Sequence, residues 1–206
     1  MFFQKKEKIN LDTLWLVFEA QKKVLQEKGY PDMFGADVFE KETANAWQRL
    51  KNFAQNIEFK PFGNLPLLLV ANPKDMHQSI TKINGHTELD LQKVKTEPTQ
   101  YAFEILLNVE NGQKMVAKSP KDALKKFEKM SRNPLTINES IALLTYYSDL
   151  LKDHYLITAG SFYTTKDNES LPLLWLLDEH QNPELHYAWF HIAHGSYGTG
   201  SSATKI

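Results

Sequence analysis

The sequence predicts an α+β protein in which an N-terminal helical pair and central helices pack on a mostly antiparallel sheet. Apolar residues recur at helical spacing over the first 56 residues, and candidate strands with turn signals follow them. Helices and strands are clustered and do not alternate regularly, which distinguishes this pattern from a doubly wound parallel sheet. A dinucleotide-binding fold is therefore not expected.

Length and composition set the next limits. The 206 residues are enough for one domain, and we predict a single domain over 1–206. It comprises a helical layer over 1–60, a sheet with two helices over 61–198 and a flexible tail over 199–206. The chain has no cysteine, which excludes disulfides, thiolate metal ligands and a cysteine nucleophile. Its 24 basic and 25 acidic residues give a net charge of −1, so nucleic acid is not an expected partner.

The apolar segments are too short for a membrane protein. The longest runs, 14–18, 66–71 and 171–177, fall well below the ~18 residues that a membrane helix needs. The first ten residues include Lys5, Lys6 and Lys8 and contain no long apolar stretch typical of a secretory signal. A cytoplasmic protein is expected.

The N-terminal helices have clear boundaries. Asn10 can cap the first helix, and Gly29 ends it. A second apolar stripe predicts a helix over about 37–56. Trp15 and Trp47 lie on these stripes, so we expect both in the core.

Turn signals follow a short predicted strand at 67–71. Asn-Gly between strands is typical of a two-residue hairpin, and the chain has this pair at 84–85 and at 111–112. The second pair follows apolar alternation over 103–109 and predicts a hairpin with the residues after it. The first pair has less apolar sequence around it.

Two central helices carry capping residues. Ser119 precedes a proline and can cap a helix that runs to about Met130. Thr136 and Glu139 have the spacing of a capping box at the start of a helix over 137–151.

Three strands and a tail complete the chain. Residues 155–162, 171–177 and 185–193 read as strands. The glycines and serines at 198–202 offer little apolar surface, and ordering glycine carries a large entropy cost. We therefore expect a mobile end whose removal shifts stability by well under about 1 kcal/mol.

Three histidines lie close together near the C-terminus, at His186, His191 and His194. On a strand His191 faces away from the other two, and on a helix only His191 and His194 share a face. This spacing favours neither a metal site nor any other cofactor site, so we expect none. Surface or hydrogen-bonded histidines are the alternative interpretation.

Aromatic residues on the last two predicted strands give a candidate binding site. Trp175 and Trp189 could line a pocket for a flat or sugar-like ligand, with His191 and His194 beside them. Cross-strand packing explains the same pattern. These four residues form the predicted ligand- or partner-binding site.

Basic residues form a second candidate surface between Lys121 and Arg132. Lys121, Lys125 and Lys129 repeat every four residues on the helix after Ser119. Such a stripe could meet an acidic partner or a phosphate backbone. It is also typical of the solvated face of an amphipathic helix.

Several segments in the second half occur in the order of a known family. They are 108–112, 119–124, 132–139, Gly160-Ser161, Pro172 before Trp175, Leu185, Trp189 and His194. Over roughly residues 101–198 the chain resembles an uncharacterised bacterial family, mostly from Gram-positive actinobacteria. The resemblance implies the α+β organisation and no particular chemistry.

The chain departs from the pattern of that family at three positions. Phe162 stands where the family has arginine, Ala188 where it has cysteine and Ile192 where it has asparagine. If the polar residues of the family form a site, this chain has lost part of it. His194 is the one such residue that carries over.

The sequence contains no constellation of nucleophile, base and orienting group. We therefore expect a non-catalytic binding or interaction module with a protein or small-molecule partner. The alternative is a small enzyme, for example a hydrolase, with His194 or His191 as general base. A concave pocket at these residues would favour the enzyme.

Overall fold

The structure, a computed structural model, describes residues 7–8, 10–54, 58–59, 62–164, 169–176 and 182–206. Residues 56 and 177, where a helix and a strand were predicted to end, lie outside these ranges. The α+β class is confirmed. The helices are α1 (Leu11–Glu27), α2 (Tyr30–Phe34), α3 (Ala36–Ala54), α4 (Met76–Lys82), α5 (Pro120–Lys129), α6 (Ile137–Tyr146) and α7 (Leu150–Asp153).

The strands are short apart from four that have seven or eight residues. They are β1 (Glu7–Lys8), β2 (Glu58–Phe59), β3 (Leu65–Ala71), β4 (His86–Thr87), β5 (Val94–Thr96), β6 (Phe103–Val109), β7 (Asn133–Pro134), β8 (Tyr155–Ile157), β9 (Ser161–Thr164), β10 (Glu169–Leu176), β11 (Pro183–Trp189), β12 (Tyr197–Thr199), β13 (Ser201–Ser202) and β14 (Thr204–Lys205).

The predicted N-terminal helical pair is present as α1 and α3. Asn10 Oδ1 accepts hydrogen bonds from two backbone N–H groups of the first turn of α1, and Gly29 (φ 73°) follows its end. The expectation that Trp15 is core is wrong. Its side chain is 41% exposed, and its ring contacts that of half-buried Trp47 at 4.7 Å between centroids. Trp15 therefore lies at the border of the apolar stripe.

A three-stranded antiparallel sheet, in the order β14-β6-β3, lies between two layers of helices. Leu67 and Leu69 of β3 pack into the cluster that includes α1 and α3, and Leu68 packs into the cluster that includes α6. The free edge of β3 is covered by Gln21 of α1. Its side-chain amide donates to Leu67 O and accepts from Leu69 N, at 3.1 and 2.7 Å. These bonds satisfy edge groups that would otherwise be buried without partners.

The larger sheet has the order β12-β8-β10-β11-β4, with β9 and β5 paired beside β10. Most of its ladders are antiparallel, as predicted, and the β12–β8 and β11–β4 pairs are parallel. The strand predicted over 155–162 is divided into β8 and β9 by a turn at Gly160. A Cβ atom on Gly160 would lie 2.6 Å from Pro134 O, so this turn packs tightly against β7.

Both capping predictions for the central helices are confirmed. Ser119 Oγ accepts from Asp122 N at 3.2 Å. At α6 the Thr136 N–H donates to Glu139 Oε2, and the Glu139 N–H donates to Thr136 Oγ1. The helix predicted over 137–151 is divided, because α6 ends at Tyr146 and α7 begins after a turn.

Neither Asn-Gly pair forms the predicted hairpin. Asn84 (φ 55°) follows the end of α4, where Gly85 N donates to Ile80 O. Gly112 (φ 105°) precedes a 3-10 turn at Gln113–Met115. Asn and Gly also favour left-handed conformations at helix ends and isolated turns, so the pair does not specify a hairpin by itself. Strand β6 pairs instead with β3 and β14, which are distant in sequence.

The prediction of a flexible tail over 199–206 is wrong. Residues in this segment form β13 and β14, and Ser201 and Ser202 are fully buried. Gly198 passes so close to Gly112 that a Cβ atom on Gly198 would overlap Gly112 O. Small residues contribute little apolar surface, but here they allow the backbone to enter the interior and pair there. In the described ranges no helix is long and apolar enough to cross a bilayer.

Deleting residues 201–206 should lower the free energy of unfolding by more than about 3 kcal/mol. The deletion removes β13 and β14 and leaves buried backbone groups of β6 and β7 without partners, each of which costs about 1–3 kcal/mol. Urea denaturation followed by circular dichroism measures the loss. A shift below about 1 kcal/mol would restore the flexible-tail interpretation.

Two single substitutions provide a matched comparison within the same segment. Gly198→Ala should be strongly destabilising because its methyl group meets backbone, whereas nothing lies within 4 Å of a Cβ on exposed Gly195. Gly195→Ala should therefore change the stability by less than about 0.5 kcal/mol. Equal effects of the two substitutions would contradict the packing described here.

Candidate functional site

The two tryptophans of the predicted binding site lie on opposite faces of the larger sheet. In the β10–β11 ladder Trp175 is paired with Glu184, and Trp189 is paired with Ser170. Directly opposed residues share a face, and successive residues of a strand alternate between faces. Positions 170 and 175 differ by five, an odd number, so Trp175 and Trp189 point to opposite faces of the sheet.

One of the predicted histidines joins the face of Trp175. The Trp175 ring contacts Tyr155, which contacts Tyr197, and Tyr197 contacts His194, with centroid distances of 6.1, 6.0 and 4.3 Å. Trp175 Nε1 also donates to Glu184 Oε2 at 2.9 Å. This row crosses β12, β8 and β10 and accounts for the aromatic pattern by cross-strand packing.

Trp189 reaches this row only indirectly, through Tyr187 and through His186, whose ring lies 5.3 Å from that of Trp175. Trp189 is 42% exposed and contacts Tyr187 edge-on at 5.8 Å. His191 is exposed and contacts Phe190 at 5.0 Å. Among the described residues, no ring contact joins Trp189 or His191 directly to Trp175 or His194.

The contacts of His191 and His194 within the described ranges bear on their role as a general base. His194 Nδ1 accepts from Ser196 N at 3.3 Å. Among the residues described, no carboxylate forms an ion pair with His191 or His194, and no three acidic or histidine side chains are grouped for a metal ion. Catalytic histidines are usually oriented by such a partner.

The basic stripe is shorter than predicted because Arg132 is buried. Its guanidinium donates from Nε to Ser201 Oγ and from Nη2 to the carbonyl oxygens of Ser201 and Asn108, at 2.9, 3.0 and 2.6 Å. Arg132 thus ties the end of α5 to β6 and β13. Lys121, Lys125 and Lys129 remain exposed on α5, as expected for a solvated face.

A groove of about 910 Å³ opens where four distant parts of the chain meet. We call it the C-terminal groove. Its walls come from the β5 region, α5 and the β7–α6 connection, the β8–β9 turn and the C-terminal strand. Its lining includes Lys95, Glu97, Leu124, Pro134, Phe162 and Lys205.

A buried ion pair lies beside the C-terminal groove. Lys205 Nζ is 2.5 Å from Oε1 of Glu139, which is almost fully buried, and Lys205 itself is 33% exposed at the groove. Burial raises the pKa of Glu139, although Lys205 and the Thr136 N–H act in the opposite direction. Burial alone would lower the pKa of Lys205, but the charges of Glu139, Glu104 and Glu97 raise it overall. The fold thus holds the Lys205 ammonium group against a carboxyl group that burial makes harder to ionise.

A second buried carboxylate extends this polar region. Glu104 of β6 accepts hydrogen bonds from the Thr99 hydroxyl at 2.5 Å and from Asn72 Nδ2 at 3.0 Å. Asn72 Oδ1 in turn accepts from Asn138 Nδ2 of α6 at 3.4 Å. Asn72 and Thr99 also line a neighbouring groove of about 590 Å³. Buried polar groups that are connected in this way are worth more to function or specificity than isolated ones.

Sequence reasoning missed the Glu139–Lys205 pair for a specific reason. Glu139 was fully explained as the third residue of a capping box, and Lys205 lay in the segment predicted to be flexible. One signal was available, because Glu139 stands between Ile137 and Ile141 on a strongly apolar helix. A carboxylate buried there needs a cation.

Comparison with known proteins identifies a family of unknown function. The model of a family described as "Family of unknown function (DUF5701)" matches residues 24–206. The chain belongs to this family. The DUF5701 match includes β14, the strand that carries Lys205. It is longer than the segment 101–198 over which the sequence motifs resemble an uncharacterised family. No curated protein and no solved structure matches the chain.

Replacing Lys205 by methionine should leave the Glu139 carboxylate buried without its cation. We expect the free energy of unfolding at neutral pH to fall by about 2 kcal/mol. Breaking a fully buried ion pair costs ~3–5 kcal/mol, and the loss is smaller here because Lys205 is partly exposed. Because the pKa of Glu139 is raised, the loss should shrink as the pH falls and this carboxyl becomes neutral. Urea denaturation at several pH values gives the measurement.

Lys95→Met is the matched control for this substitution. Lys95 lines the same groove but is exposed, and no ion pair is found for it among the described residues. Its replacement should change stability by less than about 0.5 kcal/mol. Equal losses for the two lysines would show that the Glu139–Lys205 pair has no special role.

Glu110, next to Arg132 in the fold, is a third buried carboxylate. Its Oε1 accepts from Lys114 N at 2.8 Å, and its backbone pairs with Ser201. Burial raises the pKa of Glu110, while the N–H groups of Lys114 and Gly112 and the charges of Lys114 and Arg132 lower it in part. Burial also lowers the pKa of Arg132, to about 10, opposed by the charge of Glu110.

Glu110→Gln should change how stability depends on pH. A carboxyl whose pKa is raised by folding stabilises the protein below its ordinary pKa of 4.5, and this contribution is lost as pH rises through the folded value. The glutamine variant lacks this loss, so its stability relative to wild type should increase from about pH 4 upward and then level off. Urea denaturation at a series of pH values from about 4 upward tests this prediction. Glu128→Gln, at an exposed position of α5, is the control. A difference that stays constant with pH would contradict the prediction.

Proposed function

We propose that this protein is a non-catalytic binding module whose C-terminal groove holds a small organic molecule with an apolar body and one hydrogen-bond acceptor group. The observation that carries the proposal is the buried Glu139–Lys205 pair beside a groove of about 910 Å³. This volume lies in the range of about 300–1,000 Å³ that small-molecule sites occupy.

Apolar contact would come from three side chains of the groove. Phe162 is 42% exposed, and Leu124 and Pro134 are half-buried. An exposed phenylalanine in a concave site offers a ring face or edge to a planar ligand. The apolar body of the ligand is therefore assigned to this part of the groove.

The polar contact would come from Lys205. An ammonium group has three N–H donors, and Lys205 Nζ forms an ion pair with Glu139. Glu139 fixes the position of the ammonium group before a ligand arrives, which reduces the entropy lost on binding. A carbonyl or carboxylate oxygen is the acceptor that suits this donor.

The charges around the groove favour a ligand of low charge. Lys95 and Lys205 supply two positive charges, and Glu97 and Glu139 supply two negative charges, so the four sum to zero. A strongly charged ligand would find no net attraction here. A neutral or singly charged molecule fits better.

A binding role suits the groove better than catalysis. Both oxygens of Glu139 are engaged, Oε2 by the Thr136 N–H and Oε1 by Lys205. Among the described residues that line the groove there is no histidine to act as a base. Action in the cytoplasm of a bacterial cell is part of this proposal and comes from the sequence alone.

The probe for testing the groove is 2-naphthoate, which combines a planar apolar body with a carboxylate. At about 0.3 kcal/mol for each of its roughly 13 non-hydrogen atoms, binding of about −4 kcal/mol gives a Kd of about 1 mM. Titration followed by ¹⁵N–¹H NMR spectra should shift the amides of Gly160, Thr204 and Lys205 in a saturable way. Phe162→Ser should weaken binding about tenfold.

Trp189→Ser is the matched control, because Trp189 and Phe162 are both aromatic and both 42% exposed. It should leave the affinity for 2-naphthoate unchanged. Loss of binding in Trp189→Ser but not in Phe162→Ser would move the site to the aromatic strands and overturn the groove proposal. Hydrolysis of an aryl ester that depends on His194 would instead favour the enzyme.

A further inference from the structure

A second concave site lies on the other flank of the segment that carries Ala203. We call it the Phe62 pocket. It has a volume of about 510 Å³ and is lined by Phe62, Asn108, Ala203 and residues 129–132. Ala203 also lines the C-terminal groove, so the two sites are neighbours.

Three cations surround the ring of Phe62. Lys114 Nζ lies 4.5 Å from the ring centroid, Lys126 Nζ lies 5.6 Å from it, and Arg132 Cζ lies 4.7 Å from it. Arg132 and Lys129, which lies one turn of α5 beyond Lys126, line the pocket itself, and Lys114 and Lys126 lie beside its Phe62 wall. Each cation gains from the ring, but none of them is neutralised by it.

Negative charge near these four cations is scarce. Among the residues that the structure describes, no carboxylate lies within ion-pair distance of Lys114, Lys126, Lys129 or Arg132. Glu110 is the buried carboxylate that interacts with Lys114 and Arg132 at longer range. Four positively charged side chains thus lie near one described carboxylate, that of Glu110, in a protein whose net charge is −1.

Such an arrangement has a direct electrostatic consequence. A pocket lined by charge of one sign, with apolar walls of low dielectric, concentrates the field and raises the local concentration of counter-ions. The guanidinium of Arg132 is fixed by its bonds to Ser201 and Asn108 through Nε and Nη2, and the described contacts leave Nη1 for a ligand. A fixed guanidinium group beside lysine ammonium groups is typical of phosphate recognition.

We infer that the Phe62 pocket binds a small molecule with several adjacent negative charges, of the diphosphate or triphosphate class. The cations lie around one concave site, so the ligand is small and not a long polymer. An extended nucleic acid would instead contact the exposed stripe of Lys121, Lys125 and Lys129 along α5.

The inference goes beyond the proposed function and is independent of it. The four charges around the C-terminal groove sum to zero, whereas the Phe62 pocket has an excess of positive charge. The two sites should therefore select different ligands. Each can be disabled by substitutions that leave the other in place.

Isothermal titration calorimetry with inorganic pyrophosphate tests the pocket in the intact chain. Pyrophosphate should bind at one site, and its affinity should fall as salt is raised. The double variant Lys126→Gln, Lys129→Gln should weaken binding at least about tenfold, since it removes two of the four cations. NMR shifts on titration should centre on the amides of Ser131 and Arg132.

The double variant Lys121→Gln, Lys125→Gln is the matched control on the same helix, with the same change in charge. It should leave pyrophosphate affinity within about twofold of wild type. Equal weakening by both double variants, or tighter binding of duplex DNA than of pyrophosphate, would assign anion binding to the exposed face of α5 and overturn the inference. Absence of pyrophosphate binding at low salt would overturn it as well.

Phe162→Ser separates this inference from the proposed function. It should weaken 2-naphthoate binding about tenfold and leave pyrophosphate binding intact. The double variant Lys126→Gln, Lys129→Gln should weaken pyrophosphate binding and leave 2-naphthoate binding intact. Loss of both ligands in either variant would contradict the existence of two separate sites.

Discussion

The path of the C-terminal segment through the interior is the constraint on which the other features depend. Between residues 197 and 206 it pairs in turn with β8, with Glu110, with β7 and with β6. Arg132 fixes the centre of this path through its bonds to Ser201. The same path completes the three-stranded sheet, places Lys205 next to Glu139 and supplies Ala203 to both concave sites.

Small residues make that path possible. The entropic cost of ordering them explains why the sequence alone suggests a flexible segment. Gly198 passes against Gly112, and Gly200 packs on Leu135, where a Cβ atom would lie 2.7 Å from Leu135 Cδ1. Ordering glycine is entropically unfavourable. The compensation comes from backbone hydrogen bonds among buried residues, and none of these bonds is visible as apolar periodicity in the sequence.

This difference explains which features could be predicted from the sequence. The caps at Asn10, Ser119 and Thr136 depend on groups within three residues, and all three form as predicted. The Asn111-Gly112 pair is an equally local signal for a turn. The strand before it, β6, nevertheless pairs with β3 and β14, which are distant in sequence. The α+β class follows from local patterns. The Glu139–Lys205 contact joins residues 66 positions apart, so it could be found only in the structure.

The two concave sites show two ways of placing charge in this fold. At the C-terminal groove the charges are paired before any ligand arrives, so the groove can be stable when empty and its ligand need only supply an acceptor. At the Phe62 pocket like charges repel one another, which lowers the stability of the unliganded protein. An anion would relieve this repulsion, and by linkage its binding would stabilise the fold. An arrangement that lowers the stability of the free protein and is relieved by a ligand is the physical ground for assigning binding to that pocket.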